Sequence, residues 1–179
     1  MDNKRKDLID ILKEKSPLSG QFTDYEILQL IEIMPLCEYD ENATIYKEGE
    51  PATSLKFLIN GAVNIHLNNH LVAQLTPGDV FGEAMFSDQG KRIADAVAVE
   101  PAEVLQFDLA AYEEMLRQDT KVALKCKHIF EELYKNNVIA NEHFFTKDTT
   151  KYLALVAHNE MKVPLVQFVQ SNLKKINKF

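Results

Sequence analysis

The chain has 179 residues, with 20 Lys and Arg against 27 Asp and Glu, for a formal net charge of −7. A net-acidic chain has no general electrostatic attraction to DNA or anionic lipid, so either partner would need a local basic patch. Apolar residues at 46% and charged residues at 26% match a globular protein and not a disordered one.

The N-terminal segment MDNKRKDLIDILKEK carries charge through its apolar positions, unlike a signal peptide. Leu8, Ile9, Ile11 and Leu12 lie on one side of a short helix over residues 5–15, which Ser16-Pro17 ends. Thr23 with Glu26 three residues on is a capping-box pattern that opens a second helix. Its Ile27, Leu28, Leu30, Ile31 and Met34 give a broad face to bury.

From Leu36 to Asp108 the reading is β. Short apolar or β-branched runs (Thr44–Tyr46, Leu55–Ile59, Ala62–Leu67, Leu71–Leu75, Ala94–Val99, Val104–Phe107) alternate with turn chemistry. The turns fall at Glu48-Gly49-Glu50, Asn60-Gly61, Asn68-Asn69 and Pro77-Gly78. Short strands at this spacing predict a small barrel or jelly roll. Val80–Lys91, VFGEAMFSDQGK, is not strand-like and reads as a helical turn and loop inserted between two strands.

Two helices follow, a short one over Leu109–Arg117 and a long one from Asp119-Thr120 to about Asn137. On the long helix Val122, Cys126, Ile129 and Leu133 recur at 4-3-4 spacing, a narrow seam. That seam either packs on the barrel or forms a homodimer through residues 120–137. The cysteines, Cys37 and Cys126, are not in a CxxC pair, which suits a reducing, cytoplasmic setting and no Cys-based metal site. His66 and His70 are four apart on a predicted hairpin, not a helix, so no metal is expected there either.

After a polar linker over 141–150, KYLALVAH is a continuous apolar run bounded by charge, as in a buried parallel strand. Its apolar core, Tyr152–Ala157, is the longest apolar run in the chain, so no membrane span is expected. Val166, Val169, Leu173 and Ile176 then sit at helical spacing. One strand and one helix cannot bury a two-sided sheet, so 151–179 is expected to be the opening of an α/β domain. Lys174, Lys175 and Lys178 suit a solvated helix end, and no pair of amphipathic helices with a basic face offers a DNA reader. The fold class is thus α+β. A jelly-roll or double-stranded β-helix barrel over 36–140 carries helices on both sides, the first pair in 1–35, and a β-α fragment ends the chain.

The inserted segment has residue types that fit one task. Phe81-Gly82-Glu83 opens a helical turn whose first amides lack intrahelical partners, and Gly82 admits close approach to the backbone. Arg92 offers a permanent charge and a fork of donors suited to phosphate. Glu83 would repel a phosphate, so its natural partner is a hydroxyl such as a ribose 2′-OH. The set suits a sugar carrying a single phosphate charge.

At these residues the sequence resembles the cyclic-nucleotide-binding domain of catabolite-activator-like proteins and cyclic-nucleotide-dependent kinases. The resemblance runs from about Phe22 to Asn137 through IYKEGEPATSLKFLINGAVNIHL, LTPGDVFGEAMF and KRIADAVA, with Gly49, Gly61, Gly78 and Gly82 at the family's turns. It implies that Glu83 binds the ribose 2′-OH and Arg92 the cyclic phosphate. Amides around Gly82–Ala84 and Ile93–Ala94 would complete the site, and the long helix would cap the base. Two positions depart from the family. Lys91 replaces the proline often found before the arginine and adds a second cation. Ile93 offers no hydroxyl, which favours cyclic AMP over cyclic GMP.

The C-terminal run YLALVAHNEMKVPLVQFVQ resembles the start of methylglyoxal synthase, with His158 and Lys162 matching and Asn159 in place of the usual Asp. By that resemblance His158 would face a triose phosphate and Lys162 its phosphate. The family's phosphate loop and later carboxylate have no counterpart, so this chain is expected to have no lyase activity. The combined expectation is a cyclic-nucleotide sensor controlling an attached synthase-like domain. The alternative is a nucleotide-free barrel that mediates dimerisation.

Overall fold

A computed structural model describes residues 3–141. Helix α1 (Asn3–Lys15) buries Leu8, Ile9 and Leu12, and Ser16 terminates it. The Ser16 hydroxyl donates back to the Leu12 carbonyl and accepts from the Leu18 amide, which turns the chain away from the helix axis. Helix α2 (Asp24–Ile33) opens with the expected capping box. Thr23 Oγ1 accepts from the Glu26 amide at 3.3 Å and the Glu26 carboxylate accepts from the Thr23 amide at 2.7 Å.

Among the described residues, eight strands form two four-stranded antiparallel sheets. One has the order β1 (Leu36–Tyr39), β8 (Ala102–Asp108), β3 (Ser54–Asn60), β6 (Val80–Phe81). The other has the order β2 (Thr44–Tyr46), β7 (Asp95–Ala98), β4 (Val63–Leu67), β5 (His70–Leu75). Non-consecutive neighbours in both sheets are the signature of a jelly-roll wrap. The β4–β5 hairpin turns through Asn68 and Asn69, both in the left-handed region at φ 50° and 64°, as a type I′ turn requires.

Two strands were not separate in the sequence pattern. Leu36–Tyr39 pairs with β8, and Val80–Phe81, expected to start a helical turn, pairs instead with Lys56 and Phe57 of β3. Two residues are too few to show a period, so only the partner strand defines β6. The helical part of the insertion begins after it, as a single 3-10 turn over Glu83–Phe86.

Strand β3 divides the core by its alternation. Leu55, Phe57 and Ile59 face the helices, where they pack with Leu12, Ile27, Leu30, Phe107, Met115 and Phe130. Leu58 faces the barrel interior with Tyr46, Val63, Phe81, Ala96, Ala98 and Val104. Ser54 and Lys56, which share Leu58's face, therefore point inward as well.

Helices α3 (Leu109–Gln118) and α4 (Thr120–Ala140) close the barrel's helical side. Asp108 caps α3 by accepting from the Ala111 amide at 2.8 Å, and Asp119 caps α4 through the Lys121 and Val122 amides. Val122, Cys126 and Ile129 are buried in the chain's own core, with Leu133 packed against it. The seam on residues 120–137 is thus spent on the barrel side and is not a free face for a homodimer. The same 4-3-4 spacing serves either purpose, which is why the sequence alone left both open.

Candidate functional site

The strand β6 delivers Gly82 into the left-handed region, at φ 82°. A Cβ there would lie 2.6 Å from Arg92 Nη1 and 2.9 Å from the Ser54 carbonyl oxygen, so space as well as backbone conformation demands glycine. Glu83 and Ala84 follow at the start of the 3-10 turn, both buried. A turn of four residues develops little macrodipole, so what it can offer an anion is amide donors.

Arg92 enters from the opposite side of the insertion and is 4% exposed. Its Nη1 donates to the Gly82 carbonyl at 2.8 Å and its Nη2 to Ser54 Oγ at 3.1 Å. The guanidinium carbon sits 4.2 Å from the centroid of the Tyr46 ring, a cation–π contact. Nε is buried and has no hydrogen-bond partner among the described residues. Burial pulls the Arg92 pKa down, against the opposing pull of Tyr46 and Glu83. A guanidinium stays protonated regardless.

No ion pair joins Glu83 to Arg92 among the described residues. Glu83 Oε1 instead accepts from the Asn137 side-chain amide at 2.7 Å, from near the end of α4. Three residues past Glu83, Phe86 stacks on Phe130 of α4 at 5.6 Å and meets Tyr112 of α3 edge-on at 5.4 Å. The turn carrying Glu83 is therefore tied to both C-terminal helices, by one polar and two aromatic contacts.

A second cation also reaches the inner wall. Lys56 is 3% exposed, and its ammonium donates to Ser54 Oγ at 2.6 Å, the same hydroxyl that Arg92 uses. Burial, with the Arg92 charge beside it, pushes the Lys56 ammonium down to about 8. Lys91, the residue expected to supply a second cation, is exposed. Ile93 is half-buried and Ala94 buried beyond it.

The family model described as the cyclic nucleotide-binding domain matches residues 36–119. Those residues, just under half of the chain, are similar to that family. The chain is 30% identical over 109 residues to a cAMP-dependent protein kinase regulatory subunit of Colletotrichum orbiculare, covering 60% of this chain and 28% of that one. It is 33% identical over 90 residues to the cyclic AMP receptor protein of Thermus thermophilus, covering 48% of this chain and 42% of that one. The chain thus spans less than half the length of either relative. A solved structure of PKAR CBD2 with Sp-2Cl-cAMPS bound superimposes with a TM-score of 0.68 at 22% identity, over 82% of this chain and 95% of that one. At that identity the likeness speaks for the fold.

Within the matched residues the structure brings Gly82, Glu83, Ala84 and Arg92 to one end of the barrel. Sequence reasoning missed Tyr46, Ser54, Lys56 and Asn137. Lys56 left a trace: a lysine in the middle of SLKFLIN, an otherwise apolar strand, has either to end in solvent or to meet a charge. Asn137 left none, because only the docking of α4 brings it to Glu83. His158 and Lys162, with the synthase-like segment over 151–179, lie outside the described residues.

Proposed function

We propose that the chain is a cyclic-nucleotide sensor in which Arg92 binds the cyclic phosphate and Glu83 the ribose 2′-OH. The observation that carries this reading is Arg92. It is an arginine buried against Tyr46 and fixed at two of its five N–H groups by Gly82 and Ser54, with the rest unpaired among the described residues. Burying a charge with unused donors is costly unless an anion meets it. The amides at Glu83 and Ala84 stand at the same end, beside Gly82, where an added Cβ would strike Arg92 and Ser54. The kinase regulatory subunit and the cyclic AMP receptor protein among its relatives support a cyclic nucleotide as that anion's source.

Cyclic AMP is favoured over cyclic GMP, because Ile93 presents no hydroxyl to a guanine. Occupancy would act by a population shift. A ligand that engages Glu83 competes with Asn137, and the Phe86 contacts pass the change to α3 and α4. Those helices lead into residues 141–150 and whatever follows them, which the resemblance above makes a methylglyoxal-synthase-like segment. The chain's role in that arrangement is regulatory and not catalytic.

Thermal unfolding of protein refolded from denaturant, with and without each cyclic nucleotide, tests this reading. A ligand at a hundred times its dissociation constant adds about 2.7 kcal/mol, a shift of several degrees for a domain of this size. The expected result is a shift with cyclic AMP that Arg92→Ala abolishes. No shift with either nucleotide at millimolar concentration, or an equal shift in Arg92→Ala, would overturn the site.

A further inference from the structure

Lys56 is a buried cation that the reading above does not use. It shares Ser54 Oγ with Arg92, so two positive charges converge on one neutral hydroxyl inside the barrel. Only one of its three ammonium N–H groups is spent on that hydroxyl. Tyr46 lies beneath both, with its ring centroid 5.7 Å from the Lys56 nitrogen and 4.2 Å from the Arg92 guanidinium carbon.

The carboxylates whose charge reaches these two groups are engaged elsewhere. Glu83 accepts from Asn137, Asp108 from the Ala111 amide, and Glu50 from the Lys47 amide. None forms an ion pair with Lys56 or Arg92 among the described residues. Two dehydrated cations 3% and 4% exposed, with no carboxylate bonded to either, carry a desolvation cost that an anion of matching charge between them would offset. A cyclic phosphodiester carries one negative charge. A phosphate monoester carries close to two near neutral pH, and has a third terminal oxygen to accept the extra donors.

We propose that Lys56 is a second phosphate-binding residue, and that with Arg92 it fits the pocket to a ribonucleoside monophosphate at least as well as to a cyclic diester. The inference rests on the assignment of Arg92 and Glu83 to phosphate and ribose. Ser54 is the hinge of the arrangement, since a hydroxyl can orient both cations without neutralising either. A carboxylate in its place would have supplied the missing charge and left Arg92 for a monoanion.

The test is isothermal titration of the refolded chain with adenosine 5′-monophosphate, adenosine 3′-monophosphate and cyclic AMP. Wild type, Lys56→Gln and Lys56→Arg are compared, each checked for folding by its thermal transition. The expected result is that one of the monophosphates binds wild type as tightly as cyclic AMP or more tightly. Lys56→Gln should weaken that monophosphate tenfold or more and cyclic AMP by much less, and Lys56→Arg should restore it. Cyclic AMP binding with no monophosphate binding, and the same affinities in Lys56→Gln, would overturn the role of Lys56 while leaving the sensor intact. Monophosphate binding without cyclic AMP binding would sustain Lys56 and overturn the cyclic preference. No binding of any of the three would overturn both.

Discussion

The side-chain amide of Asn137 donates to Glu83 Oε1 at 2.7 Å, joining the end of α4 to the turn after β6 across 54 residues of chain. In the proposed function that carboxylate oxygen is wanted by a ribose hydroxyl, so the helix and the ligand compete for one acceptor. Asn137→Ala removes the competitor and leaves Glu83 at the pocket. A hydrogen bond to a charged group is worth about 1.5–3 kcal/mol, so cyclic AMP should bind Asn137→Ala more tightly, by about tenfold or more. Titration calorimetry reads this directly. A weaker affinity in the variant would mean that Asn137 holds the ligand instead of opposing it.

Gly82 separates two effects of losing a glycine. At Gly20, φ is 69° and a Cβ would meet nothing within 4 Å, so Gly20→Ala carries only the left-handed backbone cost, about 1 kcal/mol. At Gly82 the added methyl would also strike Arg92 Nη1 and the Ser54 carbonyl. Gly82→Ala should therefore be the more destabilised variant in urea and should lose nucleotide binding, whereas Gly20→Ala keeps it. Equal urea midpoints for the two would show that the Arg92 fork has room to move.

Phe86 is the apolar half of the link between the site and the helices. Its ring lies 28° from parallel to Phe130 and nearly perpendicular to Tyr112, so one side chain registers the turn against both α3 and α4. It is only half-buried, and Phe86→Ala should cost about 2 kcal/mol, below the range for a fully buried ring. The informative readout is amide hydrogen exchange. Cyclic AMP should change protection in the second half of α4 in wild type and leave it unchanged in Phe86→Ala, while Arg92 still binds. Equal ligand-induced changes in both proteins would mean that the Asn137 contact alone transmits the signal.

What was legible in the sequence follows the length of the pattern that carries it. The capping box at Thr23 and Glu26 is two residue types at a fixed spacing, and it formed as read. The runs at Thr44–Tyr46 and Leu71–Leu75 are apolar or β-branched and bounded by turn chemistry, and they stand within strands β2 and β5. Val80–Phe81 was too short, and its pairing with Lys56 and Phe57 depends on a strand twenty residues or more away. The site divided in the same way. Gly82, Glu83 and Arg92 lie in or directly after one contiguous insertion and could be recognised together. Ser54, Lys56 and Tyr46 reach the same place only because β2 and β3 wrap around the barrel and β3 turns every second side chain inward.

Lys56 also makes a prediction about stability that needs no ligand. Burial and the Arg92 charge hold its pKa at about 8, below the ordinary 10.5 of the unfolded chain. Between those values the unfolded state binds more protons than the folded state, so this residue's contribution makes folding more favourable as pH rises from 8 to 10.5. Below pH 8 both states are protonated, and the folded state bears the full cost of a buried ammonium, about 3 kcal/mol. Lys56→Met removes that cost while keeping a long unbranched side chain against Tyr46. The variant should therefore be more stable than wild type at pH 7, with the gap narrowing through pH 9 and 10. Comparing the two proteins at each pH cancels the opposing titration of Cys126, whose burial raises its thiol to about 12. Urea unfolding at pH 7 and pH 9.5 suffices. A gap that stays constant between those pH values would mean that Lys56 keeps its proton in the folded state well above pH 8, and that a neighbouring charge holds it there.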